Sequence, residues 1–109
     1  FPIWWSAEPA ILKGFIDRTF TPRFAYRFAD GKSEAKLTGK TAALILTSRA
    51  SALIYRLFGG PVTRWKHMIL GFVGIRLTDT FILGKIDHPQ DNPTYRAEFV
   101  EKVRRYARR

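Results

Sequence analysis

The chain has 109 residues, 46% hydrophobic and 26% charged, a balance that fits one small globular domain and excludes a disordered segment. It has no cysteine, which excludes a disulfide scaffold, a thiolate zinc site and a cysteine nucleophile. The net charge of +10 is spread along the chain, and its one cluster (Arg104, Arg105, Arg108, Arg109) ends a helical pattern where the dipole favours cations, so nucleic-acid binding is not expected.

The first twenty residues, FPIWWSAEPAILKGFIDRTF, read as a strand end running into a helix. Ser6 is the expected N-cap, with Glu8 and Pro9 in the first turn. Ala10, Ile11, Leu12, Phe15, Ile16 and Phe20 form one broad apolar face, and Lys13 and Asp17 are spaced to pair. In an open α/β sheet such a junction lies at the carboxyl edge, where ligands bind. Trp4 and Trp5 stand there, and each is costly to leave in water. They are either core or interface residues, or the wall of a site for a flat aromatic ligand.

Thr21 to Gly39 carries turn signals, with Phe24, Tyr26 and Phe28 alternating in a short strand or extended loop before the turn Asp30-Gly31-Lys32-Ser33. Thr41 to Thr47, TAALILT, is a continuous apolar run of strand length, suited to a central parallel strand covered on both faces. Ser48 to Gly60 follows its carboxyl end and belongs to the same edge. Pro61 to Val73 predicts a helix stopped by Gly74, with Trp65, Met68, Ile69, Phe72 and Val73 as its stripe and His67 outside it. Ile75 to Ile86 predicts a strand. Asp87 to Asp91 is a loop, and Asn92-Pro93 opens a last helix with Tyr95, Phe99, Val103 and Tyr106 inward. His88 has no companion at ligand spacing, so no metal site is expected. Strands alternating with helices predict a parallel sheet of βαβ units.

Several of these residues carry a resemblance. Phe1-Pro2-Ile3-x-Trp5, Pro9-Ala10-Ile11-Leu12-Lys13-Gly14, Asp17-Arg18-Thr19-Phe20 and Phe24-Ala25-Tyr26 are similar to segments of the flavodoxin-like NAD(P)H:quinone oxidoreductases, the family of DT-diaphorase and its bacterial relatives. The resemblance is close to Tyr26 and looser to about Ile86. It implies an α/β, flavodoxin-like, three-layer parallel sheet, of which residues 1–109 are the C-terminal part of a single domain lacking its N-terminal strands. It implies an oxidoreductase that takes FMN or FAD, is reduced by NAD(P)H, and passes a hydride to a quinone or similar small-molecule electrophile. A cytoplasmic homodimer is the implied state, and peripheral association with a membrane transporter a further implied partnership.

The same resemblance assigns roles. Pro2, Ile3, Trp4, Trp5 and Ser6 would border the flavin ring, and Thr47, Ser48 and Arg49 would meet its polar edge. Arg49 and Tyr55 would be catalytic, the first through charge and the second by positioning substrate or donating a proton. Tyr26 and Phe28 would shape the partner subunit's site or pack in the interface. The chain also departs from the family: Ser48, Arg49 and Ala50 stand where glycines are usual, and Gly60-Pro61 replaces an expected catalytic His. A flavodoxin-like regulatory or binding subunit, or a truncated remnant, is the alternative reading.

Overall fold

A computed structural model describes residues 1–109. Its centre is β3 (Thr41–Thr47), whose β-branched and aliphatic run pairs in parallel with β4 (Arg76–Leu83), Thr47 lying opposite Leu83. Phe1 to Ile3 adds a third parallel line on the other side: Thr47 N–H donates to Phe1 C=O at 3.1 Å, and Ile3 N–H to Thr47 C=O at 2.8 Å. Helices cover both faces. Leu44 and Leu46 point into a core with Trp65 and Leu70, flanked by Leu12 and Ile16 of α1 (Ala10–Thr19). On the opposite face the C-terminal helix α4 (Pro93–Ala107) packs on β4, with the Tyr106 ring 5.2 Å from Phe81. That face is only half covered, since Ile45 beside Phe81 stays 46% exposed. The expected three layers are present, but the expected burial of β3 on both sides is not.

Asn92 caps α4 through its side chain, Pro93 sits at the first position, and Tyr95, Phe99, Val103 and Tyr106 turn inward as predicted. Just before it, Asp91 accepts two hydrogen bonds from Arg96 at 2.6 Å and one from the Asp87 N–H. The Arg96 bonds, then that backbone bond, lower the Asp91 carboxyl to about 2. A depressed carboxyl stabilises the fold above its ordinary value of 3.8 and loses that contribution as pH falls toward about 2. An NMR titration should find the Asp91 midpoint near about 2, and Arg96→Ala should return it toward 3.8.

Other expectations need correction. Of the two readings of Phe24 to Phe28, the short strand holds, as β1 (Tyr26–Ala29), and what was not expected is its partner β2 (Lys32–Ala35), the two joined in a hairpin by Asp30-Gly31 at φ 51° and 74°. That is the Asp-Gly signature of a two-residue turn. Within Ser48 to Gly60 there is a helix that the sequence reading does not include, α2 (Ala52–Phe58), which starts on a Ser51 cap. Lys13 and Asp17 do pair, yet the α1 apolar face is narrower than its spacing suggests: Ile11 and Phe15 are exposed. The helix α3 runs Pro61–Arg64, Trp65–Leu70, Gly71–Val73, and its middle part is a π turn closed by Gly71 N–H to Lys66 C=O. The wider turn rotates Leu70 inward and Met68 out to solvent, which a 3.6-residue stripe does not anticipate. A Cβ on Gly71 would lie 2.6 Å from the Lys66 carbonyl oxygen, so glycine is required there.

Candidate functional site

The carboxyl ends of the three parallel lines meet at one edge. There Pro2, Ile3, Trp4, Thr47, Ser48, Arg49, Ile86 and Asp87 line an open cleft of about 210 Å³. Residues from three separated segments converge because each follows the end of a strand in the same sheet. Ser48 is the buried corner. Its N–H donates to Leu83 C=O, its Oγ accepts from the Ala50 N–H at 3.0 Å, and the same Oγ lies 2.9 Å from the Tyr55 hydroxyl. The Arg49 N–H has no intramolecular partner, and its side chain is solvent-facing at the rim.

The two tryptophans part company. Trp4 lines the cleft and is 60% exposed, whereas Trp5 is fully exposed and does not line it. Neither is a core residue. They occupy a tight turn in which Trp4 and Ala7 exchange backbone hydrogen bonds at 2.9 Å, with Trp5 and Ser6 between them at φ 50° and 59°. Left-handed non-glycine residues cost on the order of 1–3 kcal/mol each and gather at functional sites. Ser6 is therefore a turn residue and not the N-cap of α1, a position held by Pro9 with no side-chain bond.

Glu8 is the residue that sequence reasoning misplaced. It is not in the first helical turn. Its side chain is 2% exposed, ion-paired with Arg64 and accepting the Trp65 indole N–H at 3.0 Å. Burial alone would push this carboxyl up. The bond from its own N–H, the Trp65 indole and the Arg64 guanidinium outweigh burial and hold it below its ordinary value. Ile86 and Asp87, by sequence a strand end and a loop start, follow β4 and so share the edge with Thr47.

Tyr55 reaches the site only through Ser48; its ring faces a second cavity with Arg56, Thr63 and Lys66. Tyr26 and Phe28 are not in the cleft. Their hairpin packs against the end of α3, where Leu37 N–H bonds Val73 C=O, at the amino edge of the sheet. Tyr26 meets the Phe72 ring at 5.0 Å, and Phe28 is exposed.

A parallel sheet with helices on both faces and a cleft at its carboxyl edge defines an α/β protein of open-sheet type, the class in which ligands bind at strand ends. The chain belongs to a family described as having the flavodoxin-like fold, whose model matches residues 1–107. It is 32% identical over 113 residues to FMN-dependent NADH:quinone oxidoreductase 2 of Listeria innocua, covering 98% of this chain and 50% of that protein. It is 34% identical over 100 residues to ribosyldihydronicotinamide dehydrogenase-like protein traD of Penicillium crustosum, covering 79% of this chain and 38% of that one. The crystal structure of Smu.1420 from Streptococcus mutans superposes with a TM-score of 0.80 at 35% identity, over 99% of this chain and 56% of that chain. The chain thus spans half or less of the length of these curated relatives.

Proposed function

We propose that this chain is the C-terminal part of one flavodoxin-like domain in an FMN-dependent NAD(P)H oxidoreductase that reduces a quinone or a similar electrophile. The observation that carries the reading is the cleft itself, in which Pro2, Ile3, Trp4, Thr47, Ser48 and Arg49 converge at the carboxyl edge. Its donor set fits a flavin ring. The Trp4 indole offers a flat apolar wall, and Arg49 offers an unpartnered N–H and a cationic side chain. The names of two relatives, an FMN-dependent NADH:quinone oxidoreductase and a ribosyldihydronicotinamide dehydrogenase-like protein, support the same class.

A bound flavin would supply the hydride chemistry between a nicotinamide and the electrophile, and this chain's residues would orient it and exclude water. Trp4 and Ile3 would limit the ring on one side. Arg49 would stabilise the negative charge of the reduced ring, most effectively where water is excluded. Ser48, held by the Tyr55 hydroxyl, would keep the loop backbone aimed at the cleft, and the phenol would hold or pass a proton at that oxygen. Trp5 and Ser6 would contribute through the turn they form and not by contact. The finer parts of the reading are FAD as the other flavin, a cytoplasmic location, a homodimer with Tyr26 and Phe28 near the partner's site or in the interface, and peripheral association with a membrane transporter. The exposed Phe28 ring on the hairpin supports the interface element.

Purified full-length protein should show flavin absorbance that bleaches when NADH or NADPH is added without oxygen and returns on adding a quinone. Flavin that stays oxidised would replace the enzyme by a binding subunit, and absence of flavin would overturn the proposal.

A further inference from the structure

The Trp4–Ala7 turn is anchored at both ends. On one side Ile3 N–H is bonded to Thr47 C=O at 2.8 Å. On the other, one residue past Ala7, the buried Glu8 carboxylate takes both Arg64 and the Trp65 indole N–H. Trp65 is itself buried and packs its ring 5.3 Å from Phe1, at the start of the line that ends in Ile3. Between the anchors lie two non-glycine residues at positive φ, a conformation that persists only where its surroundings over-determine it.

A buried ion pair is a poor source of stability, because well-packed apolar side chains of similar volume serve as well or better. What the carboxylate adds is direction: two donors from one helix fix where its backbone sits. We propose that Glu8 is a positioning residue, clamping the Trp4–Ala7 turn to α3 so that the Trp4 indole stands at the rim of the Thr47–Arg49 cleft in the geometry that receives a planar ring. The inference rests on the flavin reading above and adds to it a residue outside the cleft. Arg64 neutralises the carboxylate, and the Trp65 N–H sets its orientation. Glu8→Gln keeps an acceptor for Trp65 and loses the charge that holds Arg64.

The test uses lumiflavin, the ring without its phosphate tail, titrated into full-length protein freed of bound flavin and labelled with 5-fluorotryptophan. The Trp4 fluorine resonance is assigned by its loss in Trp4→Phe. Glu8→Gln is expected to bind lumiflavin at least tenfold more weakly and to shift or broaden the Trp4 resonance, with unchanged far-UV circular dichroism. Arg64→Lys, which keeps the charge, is expected to stay within threefold of the parent. A purely structural Glu8 would lower the unfolding midpoint and leave both the affinity of the folded molecule and the Trp4 resonance alone. Parent-like affinity, or weakened affinity with an unmoved Trp4 resonance, overturns the inference. If Glu8→Gln does not fold, Arg64→Gln decides by the same two readouts. If the parent protein binds neither lumiflavin nor FMN, the flavin reading fails, and the Trp4 resonance in Glu8→Gln still decides the clamp.

Discussion

Trp4→Ala should lose flavin while Trp5→Ala keeps it. The two indoles are neighbours in sequence, but only Trp4 lines the cleft. An aromatic face against a planar ring contributes about 0.5–1.5 kcal/mol beyond its buried area, and removing the side chain also gives up that area. Together these predict a fall in FMN affinity of about tenfold or more, since each 1.4 kcal/mol is a factor of about ten. The backbone hydrogen bonds between Trp4 and Ala7 do not depend on the side chain, so the turn should survive. Retained flavin on the protein after gel filtration is the measurement. Equal loss in both variants would show that the turn acts as a unit; equal retention would remove the indole from the site.

Leu46→Ala should cost about 2–5 kcal/mol, the range for removing a buried leucine from a core that only partly relaxes. Leu46 is wholly inaccessible and sits with Leu44, Trp65 and Leu70 under α1 and α3. The denaturation midpoint should fall with the slope unchanged. Ile45→Ala, one residue earlier on the half-open face, should cost about 1 kcal/mol, within the strand-propensity range. A loss at Ile45 as large as that at Leu46 would mean that this face is covered in the full-length protein.

How legible the molecule was depended on the range of the forces at each position. The strand Thr41–Thr47 was read to its ends, because an apolar run between Gly39-Lys40 and Ser48 has one comfortable geometry. The Asn92-Pro93 start of α4 was equally plain, since capping is a local reaction between a side chain and the next backbone amides. The hairpin carried a signal in Asp30-Gly31 that was read as a turn without its second strand, because Lys32 to Ala35 has no apolar alternation of its own. The π turn in α3 has no signature in residue spacing; only the collision awaiting a Cβ at Gly71 betrays it. In the site, the strand-end rule pointed only to the two junctions, after Ile3 and after Thr47. The resemblance supplied Pro2, Ile3, Trp4, Trp5, Ser6, Thr47, Ser48 and Arg49, of which Trp5 and Ser6 do not line the cleft. Glu8 was not found, for it sits where a helix would place a dipole-matched acid, and its partners lie 56 and 57 positions away.

That separation bears on when the rim of the cleft takes shape. The Trp4–Ala7 bonds are the local support for a pair of left-handed residues, and the anchor at Glu8 arrives only after a chain segment of 56 residues has closed on itself. The loop bearing Trp4 therefore depends for its second anchor on the same long-range closure that packs α1 against α3. Because Trp65 belongs both to the core and to that anchor, a shift of α3 is felt at the core and at the loop bearing Trp4 together.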